Sequence, residues 1–237
     1  MLLRSDDPVL AESMTGLTPA LPAWRPAPRY PDPVPFYREQ VVPRLVALTC
    51  GANGLNRLRA ATTAGLVGTV VEIGFGSGFN VPHYPAGVDK VLAVEPSATA
   101  FRLAGRRIGD AAVPVEQVGL DGQALPLDDA SCDAALCTFA LCTIPDVDSA
   151  LAEVHRVLRP GGRFHFLEHG LAPDARVAAF QHRVEPLQRR VADGCHLTRD
   201  PVALTGAAGF ALAEVDQLYG AGPKAWSYLT RGVAVRA

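Results

Sequence analysis

Three closely spaced glycines follow a short apolar run in this 237-residue sequence. The run reads Val70-Val-Glu-Ile-Gly-Phe-Gly-Ser-Gly78, and Gly74, Gly76 and Gly78 form a G-x-G-x-G pattern. Glycine lets the backbone approach a ligand closely, and the N–H groups of such a turn can face an anionic group. We therefore expect a buried strand and a ligand-binding turn, although a tight turn without a ligand has the same pattern. The spacing differs from G-x-G-x-x-G, and Pro82 follows soon after, so binding of a nicotinamide dinucleotide is disfavoured.

Two carboxylates accompany these glycines. Glu95 ends the next apolar run, about 20 residues beyond the turn, where a carboxylate can accept the hydroxyls of a ribose. Glu72 lies inside the apolar run, where a carboxylate is costly to bury unless it is paired or hydrogen-bonded. A cationic cofactor would supply such a partner. The alternatives are a solvated strand end for Glu95 and a water-bridged structural acid for Glu72.

The elements that must position these residues follow one another in a regular order after Gly68. Apolar, β-branched runs alternate with helical segments, as in a parallel sheet with crossover helices. We predict helices over residues 97–109, with Ser97 as N-cap, and over 148–158, stopped by Pro160-Gly161-Gly162. The predicted strands are residues 69–75, 90–95, 113–118, 132–140, 163–168, 211–217 and 232–236.

The N-terminal part has a different composition. Nine of the 20 prolines precede Arg44, and proline removes hydrogen-bond donors and restricts its neighbours, so residues 1–35 should form an extended or disordered arm. Apolar residues at spacings of three and four between residues 37 and 63 then predict two helices. We expect one domain over residues 36–237, in which residues 36–67 form a helical lid.

Composition excludes several classes of protein. A net charge of -2, from 22 Lys+Arg and 24 Asp+Glu, gives no basic field for a nucleic-acid partner. The longest nearly uncharged apolar stretch, residues 134–144, has 11 residues, whereas a membrane helix needs about 20. No secretory signal is visible, and the five cysteines include no C-x-x-C pair, which suits a reducing compartment. We expect a cytoplasmic protein without a transmembrane segment.

Five segments in the central part resemble, in order, motifs of class I S-adenosylmethionine-dependent methyltransferases. They are Val71-Glu-Ile-Gly-Phe-Gly-Ser-Gly78, Val94-Glu-Pro96, Asp121-Gly-Gln-Ala-Leu-Pro126, Ser131-Cys-Asp133 and Leu158-Arg-Pro-Gly-Gly162. The resemblance covers roughly residues 68–170. It implies a doubly wound α/β fold with a seven-stranded, mostly parallel sheet, and S-adenosylmethionine as the cofactor, converted to S-adenosylhomocysteine.

The resemblance also implies which residues contact the cofactor. The glycine turn would face its methionine moiety, Glu95 its ribose and Asp121 its adenine. Thr138 and Phe139 would complete the wall of the site, and Tyr37 would form part of the lid, although core packing explains Tyr37 equally well. The full implied set is Tyr37, Glu72, Gly74, Phe75, Gly76, Ser77, Gly78, Asn80, Glu95, Pro96, Asp121, Gly122, Gln123, Thr138 and Phe139.

Three further segments resemble the thiol S-methyltransferase branch of the methyltransferase-like proteins. They are Cys137-Thr-Phe-Ala-Leu-Cys142, Phe166-Leu-Glu-His169 and Asp193-Gly-Cys-His-Leu-Thr-Arg199. Animal members have D-G-C-N-L-T-R in the last segment, so His196 stands where they have Asn. They also have an N-terminal hydrophobic anchor, which we do not find here, so a soluble relative is expected. The resemblance implies methylation of a small-molecule thiol.

A thiol acceptor makes three residues catalytic candidates. A thiol pKa near 8.5 means that a positioned base would raise the thiolate fraction. His169 is the first candidate because it ends the fifth predicted strand; a cap on the following helix is the alternative. Asp193 and His196 would line the substrate site or form a structural turn. No metal is expected, because neither Cys195 nor His196 has a partner at ligand spacing. Cys132, Cys137 and Cys142 are interpreted as core residues.

Other functions are weighed against this one. A methyltransferase acting on O, N or C of a quinol, lipid or other natural product would share the same cofactor motifs. Methylation of nucleic-acid amino groups would need an Asn/Asp-Pro-Pro-aromatic segment after the fourth strand, where this chain has Cys-Thr-Phe-Ala. Metal-assisted catechol methylation would need clustered acids beyond that strand. A binding module without turnover could keep the fold, but the intact glycines and Glu95 argue against a decayed site.

Overall fold

A computed structural model describes residues 37–51 and 53–237 of the chain. The proline-rich arm predicted for residues 1–35 lies outside the described residues. The strands within them are β1 (Gly68–Ile73), β2 (Val88–Val94), β3 (Val115–Gly119), β4 (Cys132–Thr138), β5 (Leu158–His169), β6 (Phe210–Tyr219) and β7 (Tyr228–Arg236). The α-helices are α1 (Val42–Cys50), α2 (Asn56–Thr63), α3 (Ala98–Gly109), α4 (Val147–Val157), α5 (Ala175–Val191), α6 (Pro201–Ala207) and α7 (Lys224–Ser227).

The strands of the described chain form one seven-stranded sheet in the order β3-β2-β1-β4-β5-β7-β6. The pairs among β1 to β5 are parallel, while β7 is antiparallel to both of its neighbours. The strand order reverses between β1 and β4, and ligands of doubly wound sheets bind at this point, beyond the carboxyl ends of the strands. The predicted seven-stranded, mostly parallel α/β fold is confirmed.

The central strands are buried because helices cover both faces of the sheet. Val70 and Val71 of β1 and Leu136 of β4 are fully buried, as expected for a parallel sheet without a solvated face. On one face, Leu151 and Val154 of α4 pack in the same apolar core as the strand residues. This rigid core fixes the ends of β1, β4 and β5, from which the candidate site is built.

Helix boundaries agree with the capping signals in the sequence. The Ser97 hydroxyl accepts a hydrogen bond from the Ala100 N–H at 3.1 Å, as predicted for the N-cap of α3. The helix predicted over 148–158 is α4, which ends at Val157. Pro160-Gly161-Gly162, however, lies within β5 and not between the helix and the strand. Cys132 pairs with Leu158, and Ala134 pairs with Arg163. Residues 159–162 of β5 therefore stand opposite the single residue Asp133 of β4 and form a bulge, which includes Pro160-Gly161-Gly162.

The segment before the sheet is helical, as predicted. A π-helical turn (Tyr37–Val41) leads into α1, and α2 follows. The Thr62 carbonyl at the end of α2 lies 2.7 Å from His165 Nδ1, which attaches this helix to β5. No helix among the described residues combines the length and the apolar character needed to cross a membrane.

Candidate active site

The glycine turn, residues 74–78, connects the end of β1 to the rest of the site. Gly74, Gly76 and Gly78 have φ values of 67°, 58° and 72°, which L side chains rarely adopt. A Cβ on Gly74 would lie 2.3 Å from Ala140 Cβ, so the turn packs directly on the loop that follows β4. A Cβ on Gly76 would meet only the Gly74 carbonyl oxygen, at 3.8 Å, so this part of the turn borders open space. The glycines therefore serve both a tight turn and an open cradle.

Glu95 lies at the end of β2, beside the turn. Its two carboxylate oxygens each accept one backbone hydrogen bond at 2.7 Å, from Gly76 N–H and Ser97 N–H. Each oxygen keeps a further lone pair that a ligand hydroxyl can use. Burial raises the pKa of Glu95, the two hydrogen bonds oppose this, and the nearby Asp193 raises it further. The charge of Asp193 therefore reaches Glu95, although the two residues are far apart in the sequence.

Glu72 is fully buried, and the protein itself supplies its partners. Asn80 Nδ2 donates to Glu72 Oε1 at 2.8 Å, and the Tyr84 hydroxyl donates to Oε2. Burial raises the pKa of Glu72 to about 7, opposed by these two hydrogen bonds and by the charge of Arg59. A cationic cofactor is therefore not needed to explain this buried carboxylate, because Asn80, Tyr84 and Arg59 already compensate its burial.

Arg59 was not identified from the sequence, although it organises one wall of the site. Its Nη1 donates to Asn80 Oδ1 at 2.8 Å and to Thr138 Oγ1 at 3.0 Å, and Asn80 Nδ2 also donates to Thr138 Oγ1, at 2.9 Å. The guanidinium carbon lies 5.6 Å and 5.4 Å from the ring centroids of Phe79 and Phe139. Thr138 and Phe139 are therefore held by α2 at the end of β4. Nothing in the sequence around Arg59 indicates that its side chain is buried.

The loop after β3 carries the residues expected near an adenine. Asp121 Oδ1 accepts hydrogen bonds from Gln123 N–H at 2.9 Å and from Gln123 Nε2 at 2.8 Å. Gln123 Oε1 in turn accepts from Asp146 N–H at 2.9 Å, which ties the loop to the start of α4. A Cβ on Gly122 would lie 2.8 Å from Ile73 Cγ2, so this glycine lets the loop pack on the end of β1.

Four further residues predicted to contact the cofactor have side chains that are packed, exposed or bonded elsewhere in the protein. The Phe75 side chain packs against Phe101 in the core and its N–H donates to the Val94 carbonyl, so it does not face the open part of the turn. Pro96 is exposed, and Ser77 is buried in the turn. The Tyr37 hydroxyl donates to the Val191 carbonyl at 2.7 Å, at the end of α5. Tyr37 thus attaches the segment before α1 to the helix that precedes Asp193.

Beyond the glycine turn, three side chains from separate segments meet. His169, the last residue of β5, has Nε2 3.1 Å from Cys195 Sγ. Cys142 belongs to the loop after β4, and one ligand atom from each of Cys142, His169 and Cys195 lies within 4.8 Å of the others. We call these three residues the sulfur–imidazole cluster. Both thiols are buried, and His169 is partly exposed as a residue, but its Nδ1 atom is buried and has no hydrogen-bond partner among the described residues.

The loop that carries Cys142 is held from two sides. The buried Glu168 Oε1 accepts hydrogen bonds from the N–H groups of Ala140 at 2.8 Å and Leu141 at 3.1 Å. Arg199 Nη1 donates to the Leu141 carbonyl and, at 2.8 Å, to the Ile144 carbonyl. The backbone N–H of His196 donates to the Cys142 carbonyl at 2.9 Å. Glu168 and the segment 193–199 therefore bring the cluster together.

The catalytic candidates are separated by this arrangement. His169 is in the cluster, whereas the His196 ring is turned to Glu185 on α5, with Nδ1 3.0 Å from Oε1. Asp193 lies in the loop after α5 and has a positive φ of 48°. Cys132 and Cys137 are core residues of β4, as interpreted from the sequence, but Cys142 belongs to the cluster. Cys142 and Cys195 are far apart in the sequence, so no ligand spacing relates them.

Hydrogen bonding in the cluster favours a thiolate at Cys195. A hydrogen bond from Cys142 lowers the pKa of Cys195, burial opposes this shift, and the hydrogen bond to His169 lowers the pKa further. The same bond raises the pKa of Cys142, because its proton is shared with Cys195. For His169, burial lowers the pKa, but the bond to Cys195 and the charges of Cys195 and Glu168 outweigh it, so the pKa is raised.

The residues present fit S-adenosylmethionine. The cradle at Gly76 is open, and the Glu95 carboxylate at its rim retains acceptor capacity for ribose hydroxyls. The ordered Asp121–Gln123 loop closes on the same end of β1. Acidic groups and backbone donors around one open space suit a ligand that carries a ribose, a carboxylate and positive charge.

Comparison with known proteins gives the class first. Residues 71–166 match the family model described as "Methyltransferase domain". A solved geranyl diphosphate methyltransferase in complex with S-adenosylmethionine has the same fold, with a TM-score of 0.61 and 16% identity over 83% of this chain and 90% of that chain. Residues 71–166 therefore match the methyltransferase domain family, and the sheet of the described residues has the class I methyltransferase fold.

Individual relatives are more informative about the branch. The chain is 35% identical to thiol S-methyltransferase TMT1B of Rattus norvegicus over 136 residues, 56% of this chain and 55% of the relative. It is 30% identical to thiol S-methyltransferase TMT1A of Homo sapiens over 162 residues, 67% of this chain and 65% of the relative. A match to the ubiquinone/menaquinone biosynthesis C-methyltransferase UbiE of Methylobacterium nodulans is 41% identical over 80 residues, 34% of this chain and 29% of the relative. The chain spans less than two thirds of each of these relatives.

Proposed function

We propose that this protein transfers a methyl group from S-adenosylmethionine to the sulfur of a small-molecule thiol. One observation carries the proposal: Cys142, His169 and Cys195 converge at the end of β5, in a loop system that packs on the glycine turn. The similarity to two proteins named thiol S-methyltransferases supports the same acceptor. The free cysteines suit a reducing compartment, so we place the activity in the cytoplasm.

In this proposal the first part of the site binds and orients the cofactor. Glu95 accepts the ribose hydroxyls, the open glycine turn takes the methionine moiety, and the Asp121–Gln123 loop borders the adenine. Arg59 keeps Asn80 and Thr138 in place behind the turn, so that the wall is rigid before a ligand binds. S-Adenosylmethionine supplies an electrophilic methyl group on a sulfonium.

The second part of the site prepares the acceptor. His169 is assigned a catalytic role, as the polarising group that stabilises the thiolate form of the acceptor sulfur. Asp193 and His196 complete this side of the site. Asp193 belongs to the same segment as Cys195, and His196 holds the Cys142 loop through its backbone N–H. The protein's main task is then to align the reacting atoms and exclude water.

The proposed step is an in-line displacement with a closed balance. The acceptor S–H bond breaks and its proton goes to solvent. A lone pair of the thiolate sulfur forms the new bond to the methyl carbon. The bond between that carbon and the sulfonium sulfur breaks, and its electron pair stays on the sulfur of S-adenosylhomocysteine. The products are a neutral thioether and S-adenosylhomocysteine.

A substrate panel with matched pairs tests the proposal. Purified protein is incubated with S-adenosylmethionine and with thiophenol or phenol, 2-mercaptoethanol or ethylene glycol, an aromatic amine and a quinol. S-Adenosylhomocysteine and methylated products are quantified by mass spectrometry. Turnover of the thiols and not of their hydroxyl partners supports the proposal. Turnover only of the quinol, phenol or amine contradicts it and points to the O-, N- or C-methyltransferase alternative. A His182→Gln variant, changed at an exposed histidine of α5, should have the same substrate preference as the wild type and serves as the control for substitution of a histidine outside the site.

A further inference from the structure

The sulfur–imidazole cluster brings together two thiols and one imidazole from three segments far apart in the chain. Cys142 follows β4, His169 ends β5, and Cys195 lies between α5 and α6. Thiolate sulfur and imidazole nitrogen are the ligands that Zn²⁺ prefers in proteins. Three such ligands with an open fourth position are the arrangement of a catalytic zinc site, whereas structural zinc sites use four.

We propose that Cys142, His169 and Cys195 bind one Zn²⁺ ion, and that its open coordination position takes the acceptor thiol. The consequence for the acceptor rests on the proposed function, while the binding of the ion stands on the cluster alone.

The separations in the cluster are compatible with this ion. Zn–S bonds of about 2.3 Å and Zn–N bonds of about 2.0–2.1 Å in a tetrahedron place the ligand atoms roughly 3.5–3.8 Å from one another. The observed separation of His169 Nε2 and Cys195 Sγ is 3.1 Å, and all three ligand atoms lie within 4.8 Å. Metal binding thus requires movements of less than about 1 Å, which side-chain torsions can supply.

The charges around the cluster point the same way. Glu168 is fully buried next to His169, and its Oε2 atom has no hydrogen-bond partner among the described residues. The N–H groups of Ala140 and Leu141 reach only its Oε1 atom, so a buried carboxyl group with one oxygen that accepts no hydrogen bond borders the cluster. Arg199 also adds positive charge near the cluster, but its guanidinium donates to carbonyls of the Cys142 loop. A divalent cation would offset two thiolates and a buried carboxylate better than one arginine does.

A bound zinc ion would explain how a thiol becomes a nucleophile at neutral pH. A thiol that binds Zn²⁺ is deprotonated, and its proton leaves to solvent. The coordinated thiolate then attacks the methyl carbon as in the displacement above. The thioether formed is a neutral, weaker ligand, so it leaves the ion and frees the open position. His169 would act as a ligand in this scheme, and the positive charge beside the acceptor would come from the ion.

Metal binding can be measured without any assay of activity. The full chain is purified, stripped with a chelator under reducing conditions, and titrated with Zn²⁺ against a competing chromophoric chelator. Co²⁺ is then used as a spectroscopic probe, because four-coordinate Co²⁺ with thiolate ligands shows sulfur-to-cobalt charge transfer in the near ultraviolet and d–d bands in the red. We expect one ion per chain and spectra of a tetrahedral site with two thiolates.

Variants assign the ligands. Cys142→Ser, His169→Gln and Cys195→Ser should each weaken Zn²⁺ binding by at least about 100-fold, the upper end of the loss caused by an outer-shell change. Cys132→Ala is the matched control, a buried cysteine at the start of β4 that is outside the cluster, and it should bind like the wild type. Adding 2-mercaptoethanol to the wild-type Co²⁺ protein should strengthen the charge-transfer band, and ethylene glycol should not. This last readout needs no variant and so does not depend on their folding.

The outcomes separate this inference from the proposed function. Absence of saturable Zn²⁺ binding by the wild type, or equal binding by the cluster variants and Cys132→Ala, overturns the metal site. If thiol methylation persists in that case, the proposed function stands and His169 itself polarises the acceptor. Zinc binding by a protein that methylates only quinols or amines overturns the proposed function and leaves the site.

Discussion

The two halves of the candidate site are built in different ways. The cofactor half consists of the glycine turn, Glu95 and the Asp121–Gln123 loop, and each part lies just beyond the end of a strand. The acceptor half is the sulfur–imidazole cluster, whose three residues come from a loop, a strand end and a second loop. One half is thus readable as a run of local motifs, while the other exists only after the chain folds.

The two halves are also held in place by different interactions. Backbone geometry fixes the cofactor half, since the turn needs positive φ at three glycines and close packing on Ala140. Buried side chains fix the acceptor half, because Glu168 and Arg199 bind backbone groups of the loop that carries Cys142. Changes in the two halves should therefore have separable effects, on cofactor affinity in one and on turnover in the other.

The largest expected effect is that of His169→Gln on turnover. Removing a group that stabilises charge at a reacting centre typically costs about 100-fold or more in kcat. Because His169 contacts Cys195 and not the glycine turn, S-adenosylmethionine affinity should stay within about twofold of the wild type. Initial rates on a thiol and calorimetric titration with cofactor measure the two quantities. His182→Gln is the control, and a parallel loss of cofactor affinity would break the division into halves.

Glu72→Gln should remove a pH dependence of stability. The native pKa of Glu72 is raised to about 7 from 4.5, so the native state binds more protons than the unfolded state between these values. Stability is therefore lost as pH rises from about 4.5 to about 7, by up to about 3 kcal/mol from this one group. Free energies of unfolding in urea at pH 5 and pH 8 should fall less for Glu72→Gln than for the wild type. The exposed control Glu116→Gln should keep the wild-type difference. Equal pH dependence in all three proteins would contradict the assignment.

Glu95→Ala should weaken cofactor binding by about 10- to 100-fold, because hydrogen bonds to a charged group contribute about 1.5–3 kcal/mol. The substitution also removes the acceptor of the Gly76 N–H, so the glycine turn loses a hydrogen bond that fixes its conformation. Once cofactor is saturating, kcat on a thiol should recover. Titration calorimetry compares the variant with Glu116→Ala, an exposed glutamate on the neighbouring β3. Unchanged affinity would rule out Glu95 as the ribose contact.

The smallest effect is expected for Gln123→Ala. This change removes two hydrogen bonds that order the loop expected near the adenine, to Asp121 and from Asp146. Together these two hydrogen bonds contribute about 1–2 kcal/mol, so affinity for S-adenosylmethionine should fall about 5- to 30-fold with kcat unchanged. Gln217→Ala, an exposed glutamine on β6, is the matched control. A fall in kcat at saturating cofactor would place the loop in the acceptor half instead.

The sequence allowed the sheet and the cofactor half to be predicted because both depend on local patterns. All seven predicted strands are present, and Ser97 caps α3 as expected. Strand ends were less accurate, since Phe75 and Glu95 lie in turns beyond β1 and β2, and Pro160 lies in a bulge of β5. A bulge depends on the pairing partner, which the local sequence does not contain.

The acceptor half could be predicted only in part, and so could the interior of the site. His169 was selected from its place at a strand end, but its neighbour Cys142 was assigned to the core, since nothing in the sequence relates it to Cys195. Arg59 and Glu168 were missed as positioning residues, because burial of a charged side chain is set by its tertiary partners. The stretch 193–199 was recognised by resemblance and not from its spacing.

The central claim is that the acceptor atom is a thiol sulfur. The most direct measurement is a single competition reaction that contains thiophenol, phenol and a quinol at equal concentration, with S-adenosylmethionine labelled with ¹³C at its methyl group. The ¹³C chemical shift of the product methyl group reports the atom to which it is bound. If the acceptor is a thiol, the label appears only in the S-methyl product. Label in the O-methyl or C-methyl product, with none on sulfur, would show that the proposed function is wrong.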